Sequence, residues 1–291
     1  MTENTKDTKD TNPLSKYYRQ PQIYIKLPSK GKYYPADVFT PTETGEIPVL
    51  PMTAKDELTF KTPDAMISGQ ATVDVIQSCV PNFKNAWKMV NYDTDAVLLA
   101  IRIATYGETM DIAYTVPVSN EQKEHTLGLP AVLEELGKTE LKDEMTSKTG
   151  FKVKVGPLDY QTLTKVQLAQ FEQQKIYTTV TNSAITEDQK GQQFAKSFTI
   201  LNEINFSMLT DSILEITTPE GNIVTDKKQI EDFCNNCQSS LINELQEEIA
   251  KIRTQAQMKP LIMKATEEEI KKGAPTKYEV PVTFDSSNFF G

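Results

Sequence analysis

The sequence has very little histidine and cysteine, and this restricts the chemistry that the chain can perform. Its 291 residues include one histidine, His125, and three cysteines, Cys79, Cys234 and Cys237. Metal sites and most nucleophile–base pairs would have to use that single imidazole, and three unevenly spaced cysteines cannot form a disulfide framework. The composition therefore argues against a metalloenzyme and a secreted disulfide-stabilised fold, and it favours reduced thiols.

Long hydrophobic runs and an excess of positive charge are also missing. No run of about 18 apolar residues occurs, and the first twelve residues, MTENTKDTKDTN, lack an apolar signal region. The formal net charge is -9, whereas nucleic-acid-coating proteins depend on clustered Lys and Arg. We therefore expect a cytoplasmic protein with no membrane contact and no nucleic-acid partner.

The apolar spacing predicts an α+β protein that is mainly helical, with small antiparallel hairpins in the middle and near the C-terminus. Helical periodicity predicts helices over 94–106, 158–176, 194–208 and 230–252. Alternating patterns predict a strand and turn in QIYIKLPSKGKYYP, a hairpin of MDIAYTVPV with EHTLGL, a strand in FKVKV, a hairpin in LEITTPEGNIVT and a final strand in KYEVPV.

These patterns divide the chain into four segments. Residues 1–20 are expected to be a flexible N-terminal arm, and residues 21–117 a mainly helical domain that a strand opens. Residues 118–157 are expected to form a small β-containing connector. Residues 158–291 are expected to form a helical region with β-hairpins and an aromatic tail.

Helix signals are clearest in the N-terminal domain. Thr53 and Asp56 have the spacing of a capping box, and Thr62-Pro63 resembles a second helix start. The segment TDAVLLAIRIATY is apolar around most of its circumference, with Asp93 as a candidate N-cap and Gly107 as a C-terminal stop. This segment is predicted to be the central helix of the domain.

The one charge in that central helix, Arg102, has two interpretations. It is either an internal strut that is paired with a carboxylate or several carbonyl groups, or an anchor at an interface with another protein. The strut is favoured, because buried ion pairs are mostly architectural.

Two short motifs resemble functional sites but are better explained by structure. Cys234 and Cys237 have the spacing of a zinc knuckle or a redox dithiol, yet they lie on one apolar stripe of a predicted continuous helix and have no second ligand pair. The run Gly137-Lys138-Thr139 lacks the earlier glycine of a phosphate-binding loop. We therefore predict no catalytic residue, no cofactor and no metal.

The acidic pairs Asp93/Asp95 and Asp64/Asp74 are the residues that a glycosidase or a metal site would use. Acidic residues near helix starts are more often capping or solvated groups, because the helix dipole attracts them. His125 lies in the polar run NEQKEHTL and is expected to face solvent without an orienting partner. A catalytic role is not predicted for any of these residues.

The C-terminus carries an aromatic tail. Phe284, Phe289 and Phe290 lie within the last eight residues. A terminus frays unless something buries it, so these rings are expected either to fold back on the chain or to enter a neighbouring subunit. Folding back is slightly favoured, and the three phenylalanines are candidate partner-binding residues.

Three segments carry a resemblance to a known family. The run LPSKGKYYP, the run from VLPMTAKDELTF to DIAYTVP and the ending VPVTFDSSNFFG resemble baseplate hub and hub-assembly proteins of T-even-type contractile-tailed bacteriophages. The resemblance is specific over residues 22–117 and returns in the last dozen residues. It implies a structural or chaperone-like assembly protein that is not an enzyme and that is present in the host cytoplasm during assembly, or also in the virion baseplate.

The resemblance also implies partners among the other baseplate hub and tail proteins. Two alternatives stay open. One is a homo-oligomer that self-assembles as a tail or scaffold protein, and the other is a tail-associated cell-wall-degrading enzyme. Some relatives carry paired cysteines after the pair that matches Val116-Pro117 and before the final strand, as in a zinc ribbon. The corresponding runs VSNEQKEH and TEEEIKKGAPTKYE contain no cysteine, which makes a metal in this chain doubtful.

Overall fold

The computed structural model describes residues 12–62, 68–182 and 186–282, and it shows the mainly helical α+β fold that the sequence predicts. Apolar side chains form two large clusters. The first extends from Ile25 to Leu136, and the second extends from Met145 to Ile252. The division of the chain into four segments stays a prediction.

The first cluster is built from four strands and four helices. In chain order these are β1 (Ile23–Lys26), β2 (Glu46–Val49), α1 (Ala54–Phe60), α2 (Gln70–Cys79), α3 (Asn91–Tyr106), β3 (Thr109–Thr115), β4 (Gln122–Gly128) and α4 (Leu129–Gly137). Strands β1 and β2 are antiparallel, with Ile25 opposite Ile47. Strands β3 and β4 form the predicted hairpin, with Met110 opposite Leu127.

Helix α3 lies at the centre of this cluster, as predicted. Eight of its sixteen residues are buried, because aliphatic side chains point from it in most directions. It ends at Gly107, whose φ of 98° is unfavourable for residues that have a Cβ atom. It begins earlier than predicted, after Val90, so Asp93 lies in its first turn and is not its N-cap.

Helix α1 begins with the capping box that the sequence predicts. The Asp56 backbone N–H donates to the Thr53 hydroxyl at 3.2 Å, and the Thr53 backbone N–H donates to the Asp56 carboxylate at 2.8 Å. The second predicted helix start, Thr62-Pro63, falls in part on residue 63, which lies outside the described ranges.

The second cluster is covered by a four-stranded antiparallel sheet and by helices. In chain order the elements of this part of the chain are β5 (Glu144–Thr146), β6 (Lys152–Val155), α5 (Tyr160–Asn182), α6 (Glu187–Ser212), β7 (Ile213–Thr217), β8 (Ile223–Val224), α7 (Lys227–Asn236) and α8 (Ser239–Arg253). All of them except α5 contribute side chains to the second cluster, whereas Tyr160 of α5 packs against the first. The strand order is β5-β6-β7-β8. The predicted FKVKV strand, the β7–β8 hairpin and the helices α5 and α6 are therefore confirmed.

The prediction of one helix over 230–252 is wrong, because the structure has two. Helix α7 ends at Asn236, and Cys237 has an extended backbone with ψ of 172°. The side chains of Asn235 and Asn236 donate to backbone carbonyls four residues earlier, a competition that makes asparagine a poor residue for helix interiors. Both helices still bury apolar residues in the second cluster, such as Ile230 and Leu245.

The last elements form a small unit that packs on β3. They are β9 (Leu261–Lys264), α9 (Glu267–Lys271) and β10 (Lys277–Val280), with β9 and β10 antiparallel. Val116, which follows β3, is buried with Tyr278 and Val280 in a small cluster. Strand β10 therefore packs against residues of the N-terminal half of the chain.

Candidate interaction surfaces

The three phenylalanines that the sequence singles out, Phe284, Phe289 and Phe290, lie outside the residues that the structure describes. Their partner-binding role stays a prediction. The described chain ends at Val282, and this side chain packs against the first hydrophobic cluster. The last described side chain is thus in contact with the N-terminal half of the chain.

The cysteine pair does not form a reactive site. Cys234 is buried inside α7, and Cys237 is half-buried beyond the end of that helix. Burial raises the pKa of Cys234 to about 11, which is opposite to the shift that activates a thiolate. Within residues 12–62, 68–182 and 186–282, no group of three or more His, Cys, Asp or Glu could hold a metal ion.

Asp93 is buried, so the predicted capping or solvated role is wrong. Its carboxylate accepts hydrogen bonds from the backbone N–H of Ser29 at 2.8 Å and from the hydroxyl of Tyr34 at 2.7 Å. Burial raises the pKa of Asp93 to about 6, although the hydrogen bonds from Ser29 and Tyr34 favour the ionised form. Asp93 therefore anchors the loop that follows β1.

Two of the three remaining candidate acids, Asp95 and Asp74, are described, and each accepts a hydrogen bond from a different part of the chain. Asp95 is partly buried and accepts from the backbone N–H of Met258 at 3.3 Å, and residues two apart on a helix do not face each other. Asp74 accepts from the exposed side chain of Gln70 at 2.6 Å on α2. Asp64 lies outside the described residues. The structure therefore does not assemble the pair Asp93/Asp95, and the pair Asp64/Asp74 stays untested.

His125 lies in strand β4, one of the two strands of the β3–β4 hairpin. It is paired opposite Ile112, and its side chain is half-buried on the strand face that also carries Leu127. The expectation of a solvent-facing histidine is therefore wrong in part. Strand alternation explains the position, because Lys123, His125 and Leu127 all point to the more buried face.

Arg102 has no ion pair among the described residues. Its Nε and Nη1 atoms are buried without a hydrogen-bond acceptor, and the guanidinium carbon lies 4.7 Å from the centroid of the Tyr106 ring. Burial lowers the pKa of this side chain. Among the described residues, the strut interpretation thus lacks the carboxylate or carbonyl partners that it requires.

Arg19 has a structural role that no sequence pattern indicated. Its guanidinium donates to the carbonyl oxygens of Pro51 at 2.6 Å and Ser78 at 2.7 Å, and it lies 3.1 Å from the Asp56 carboxylate. Burial alone would raise the pKa of Asp56, but hydrogen bonds from Thr53 and Ser78 and the charge of Arg19 together lower it. Arg19 therefore fastens the segment before β1 to α1 and α2.

The runs VSNEQKEH and TEEEIKKGAPTKYE, which contain no cysteine, pack together in the structure. The Nζ atom of Lys123 lies 2.5 Å from the Glu269 carboxylate. Next to this ion pair, Val116 is buried together with Ala274 and Tyr278. Apolar contacts and an ion pair thus connect the two segments.

Large apolar side chains are exposed on three surfaces. On the arm and β1 they are Leu14, Tyr17, Tyr18 and Tyr24. Around the β9–α9 unit they are Val118, Ile262 and Ile270. On helices α5 and α6 they are Leu168, Phe171, Ile176, Tyr177 and Phe198. Single exposed apolar residues are common on soluble proteins, but groups of them often indicate interaction sites.

Two of the exposed residues on α5 and α6, Tyr177 and Phe198, line a groove of about 830 Å³ between the two helices, which we call the hairpin groove. It is lined by Gln170, Gln173, Gln174, Tyr177, Phe194, Ala195, Ser197, Phe198, Leu201 and Asn205. None of these lining residues carries a charge. The hairpin groove thus offers aromatic and aliphatic walls together with side-chain amides and a hydroxyl.

A model of one protein family, described as T4 bacteriophage base plate protein, matches residues 20–271. The match includes both large hydrophobic clusters and the hairpin groove. No curated protein and no solved structure matches the chain. In the part of the chain that the structure describes, no helix is both long enough and apolar enough to cross a membrane.

Proposed function

The chain belongs to the T4 bacteriophage base plate protein family, and on that premise we propose that it builds or assembles the baseplate hub through protein–protein contacts. Family membership supports a structural role in the phage tail baseplate. The proposal adds the hub as the location, other hub and tail proteins as the partners, and the host cytoplasm as the place of assembly.

The observation that supports a contact role is the group of exposed apolar side chains around the hairpin groove. Phe198 and Tyr177 are 66% and 57% exposed, and they lie on adjacent helices. Aromatic side chains supply much of the energy of protein interfaces, because they bury a large area with few rotatable bonds. A protein that works by contact needs such surfaces on a stable body, and the first cluster supplies that body.

We also propose that the protein is not an enzyme. Among the described residues, the acidic side chains with raised pKa values are Asp93 and Asp95, and both accept backbone hydrogen bonds from loops. A tail-associated cell-wall hydrolase would need a pair of carboxyl groups facing its substrate. A zymogram on bacterial cell walls tests this point: we expect no lysis, and a clear zone at 32.7 kDa would contradict the proposal.

Two versions of the hub role are distinguished by the composition of the particle. A permanent subunit stays in the baseplate, whereas an assembly chaperone leaves after the other hub proteins have been loaded. Mass spectrometry of purified virions separates the two. Stoichiometric peptides from this chain would support the subunit, and their absence from virions together with abundance in lysates would support the chaperone.

The proposed partners are tested by co-expression with the other baseplate proteins of the same phage. We expect at least one of them to copurify with the tagged chain in a fixed ratio. Variants that place a lysine on each exposed surface, Tyr17→Lys, Ile262→Lys and Phe198→Lys, would show which surface the partner uses. If no baseplate protein copurifies with the wild-type chain, the proposed contact role is contradicted.

A further inference from the structure

Helices α5 and α6 are long but poorly buried. They contain 23 and 26 residues, which corresponds to about 35 to 39 Å each. Between Lys165 and Asn205, the described side chains that are buried are Gln173, Val180 and Ser197, and two of these three are polar. Helices in water are stabilised mainly by the packing of an apolar face. The few side chains buried between α5 and α6 therefore hold these two helices together only weakly.

The residues of the hairpin groove follow the spacing of a helix-bundle interface. On α5 they are Gln170, Gln173, Gln174 and Tyr177, which stand at positions i, i+3, i+4 and i+7. On α6, five of the six lining residues follow the same spacing to i+11, namely Phe194, Ser197, Phe198, Leu201 and Asn205, and the sixth is Ala195. Both helices therefore direct one stripe into the groove, as two helices of a four-helix bundle do.

A buried polar atom in the groove lacks a partner. Gln173 is 8% exposed and lines the groove, and its Oε1 atom accepts no hydrogen bond. A buried carbonyl oxygen in this condition costs about 1 to 3 kcal/mol, so native proteins usually satisfy such atoms. This observation is independent of the exposed rings, and it indicates that a hydrogen-bond donor enters the groove.

We propose that the α5–α6 hairpin packs against the same hairpin of a second copy of this chain, and that the two form a four-helix bundle around a two-fold axis. Such an interface places one surface against itself, so the surface must be self-complementary. Side-chain amides satisfy this condition because each carries both donors and an acceptor. An amide of the second copy supplies the donor that Gln173 lacks.

The charge distribution also points to a second copy as the occupant. The chain has a net charge of -9, so two copies repel each other over most surfaces. The lining of the hairpin groove is free of charge. Two copies can therefore touch at this groove without placing like charges against each other.

The available area is sufficient for a small dimer interface. The weakly buried stretches of the hairpin, residues 165–182 on α5 and 188–205 on α6, are eighteen residues long each and span about 27 Å. Two packed helices lie about 8 to 10 Å apart. A face of this size buries about 500 Å² on each copy, or about 1,000 Å² in total, which is at the lower end for specific interfaces. Phe198 and Tyr177 would be the central anchors, since they are exposed in the single chain.

Sedimentation equilibrium of the full chain tests the proposal. We expect a mass of about twice 32.7 kDa at micromolar concentration. The double variant Gln170→Glu with Gln174→Glu retains helix propensity but places like charges across the two-fold axis. It should dissociate at least tenfold more readily, and raised salt should partly restore the dimer.

A matched control adds the same charge elsewhere. Asn243→Asp with Gln246→Glu changes two exposed positions on α8 and should leave the dimer intact. Circular dichroism verifies that both double variants keep their helix content. A wild-type mass of 32.7 kDa at all concentrations, or equal dissociation of the two double variants, would overturn the proposal.

Chemical cross-linking locates the interface. Asn205→Cys places a thiol at an exposed position that lines the groove, and Ile262→Cys places one at an exposed position outside it. Both variants share any background from Cys237. A bismaleimide should produce covalent dimers of the first variant only. Equal cross-linking of the two variants would overturn the proposal. The proposal would also be overturned if another baseplate protein covered the groove while the chain alone stayed monomeric. That last result would leave the proposed hub role intact.

Discussion

Helix α3 and the α5–α6 hairpin use apolar residues in opposite ways. Helix α3 buries eight of sixteen residues in the first cluster, and it ends at a glycine that stops it. The hairpin is three times as long, yet most of its described side chains are at least partly exposed. The comparison teaches that helical periodicity identifies an apolar face but does not tell whether the same chain or another chain covers it.

The largest expected effect is in α3. Ile101→Asp places a carboxylate where the wild-type side chain is 0% exposed, and we expect a loss of about 4 kcal/mol or more. Leu98→Asp should cost less, because Leu98 is only partly buried. Urea denaturation followed by circular dichroism measures both. A soluble Ile101→Asp protein with an unchanged midpoint would show that α3 is not central.

The second expected effect is at the junction of the arm with the first cluster. Arg19→Ala removes the hydrogen bonds to Pro51 and Ser78 and the ion pair with Asp56. We expect a loss of about 2 kcal/mol in thermal or urea unfolding, because charged hydrogen bonds to partly buried groups are lost. Lys16→Ala, at an exposed site, is the control, and equal stability of the two variants would argue against this role for Arg19.

The third effect is a pH dependence of the first cluster that comes from Asp93. Its folded pKa of about 6 lies above the value of an unfolded aspartate, so its contribution to stability is fully present below about pH 4 and is lost as pH rises through 6. Between pH 7.5 and pH 5, the wild type should gain about 1 kcal/mol relative to Asp93→Asn. Urea denaturation at the two pH values gives this difference.

A matched replacement at an exposed carboxylate checks the assignment to Asp93. Asp74→Asn changes the surface of α2 and should follow the wild type at both pH values. If Asp93→Asn and the wild type change in parallel with pH, the carboxyl group of Asp93 is not the source of the dependence.

The smallest expected effect is in the hairpin. Phe198→Lys should change the unfolding free energy of the dilute single chain by less than about 0.5 kcal/mol, because the ring is already 66% exposed. The same substitution should weaken self-association strongly. Denaturation at submicromolar concentration measures the first quantity. A loss as large as that of Ile101→Asp would mean that Phe198 packs within its own chain.

Features that depend on a few neighbouring residues could be predicted from the sequence. The capping box of Thr53 and Asp56, the stop at Gly107 and the β3–β4 hairpin are examples. Each is determined by turn, cap or alternation chemistry within a short segment. The helices α5 and α6 were predicted from the helical spacing of their apolar residues.

Features that depend on distant contacts could not be predicted. Arg19 donates hydrogen bonds to residues that are 32 and 59 positions away in the sequence. The burial of Asp93 depends on the loop that contains Ser29, which is 64 positions away. The break at Cys237 was missed because the apolar stripe continues across it. The hairpin groove was also out of reach, since periodicity does not show which apolar residues stay exposed.

Hydrogen exchange measured at low and high protein concentration tests the central claim most directly. The claim is that α5 and α6 are completed by contact with a second chain, whereas α3 is complete by itself. We predict that amides of α5 and α6 exchange rapidly in the dilute chain and become strongly protected at high concentration, while α3 is protected equally in both. Strong protection of α5 and α6 in the dilute monomer, or its absence at both concentrations, would contradict the account.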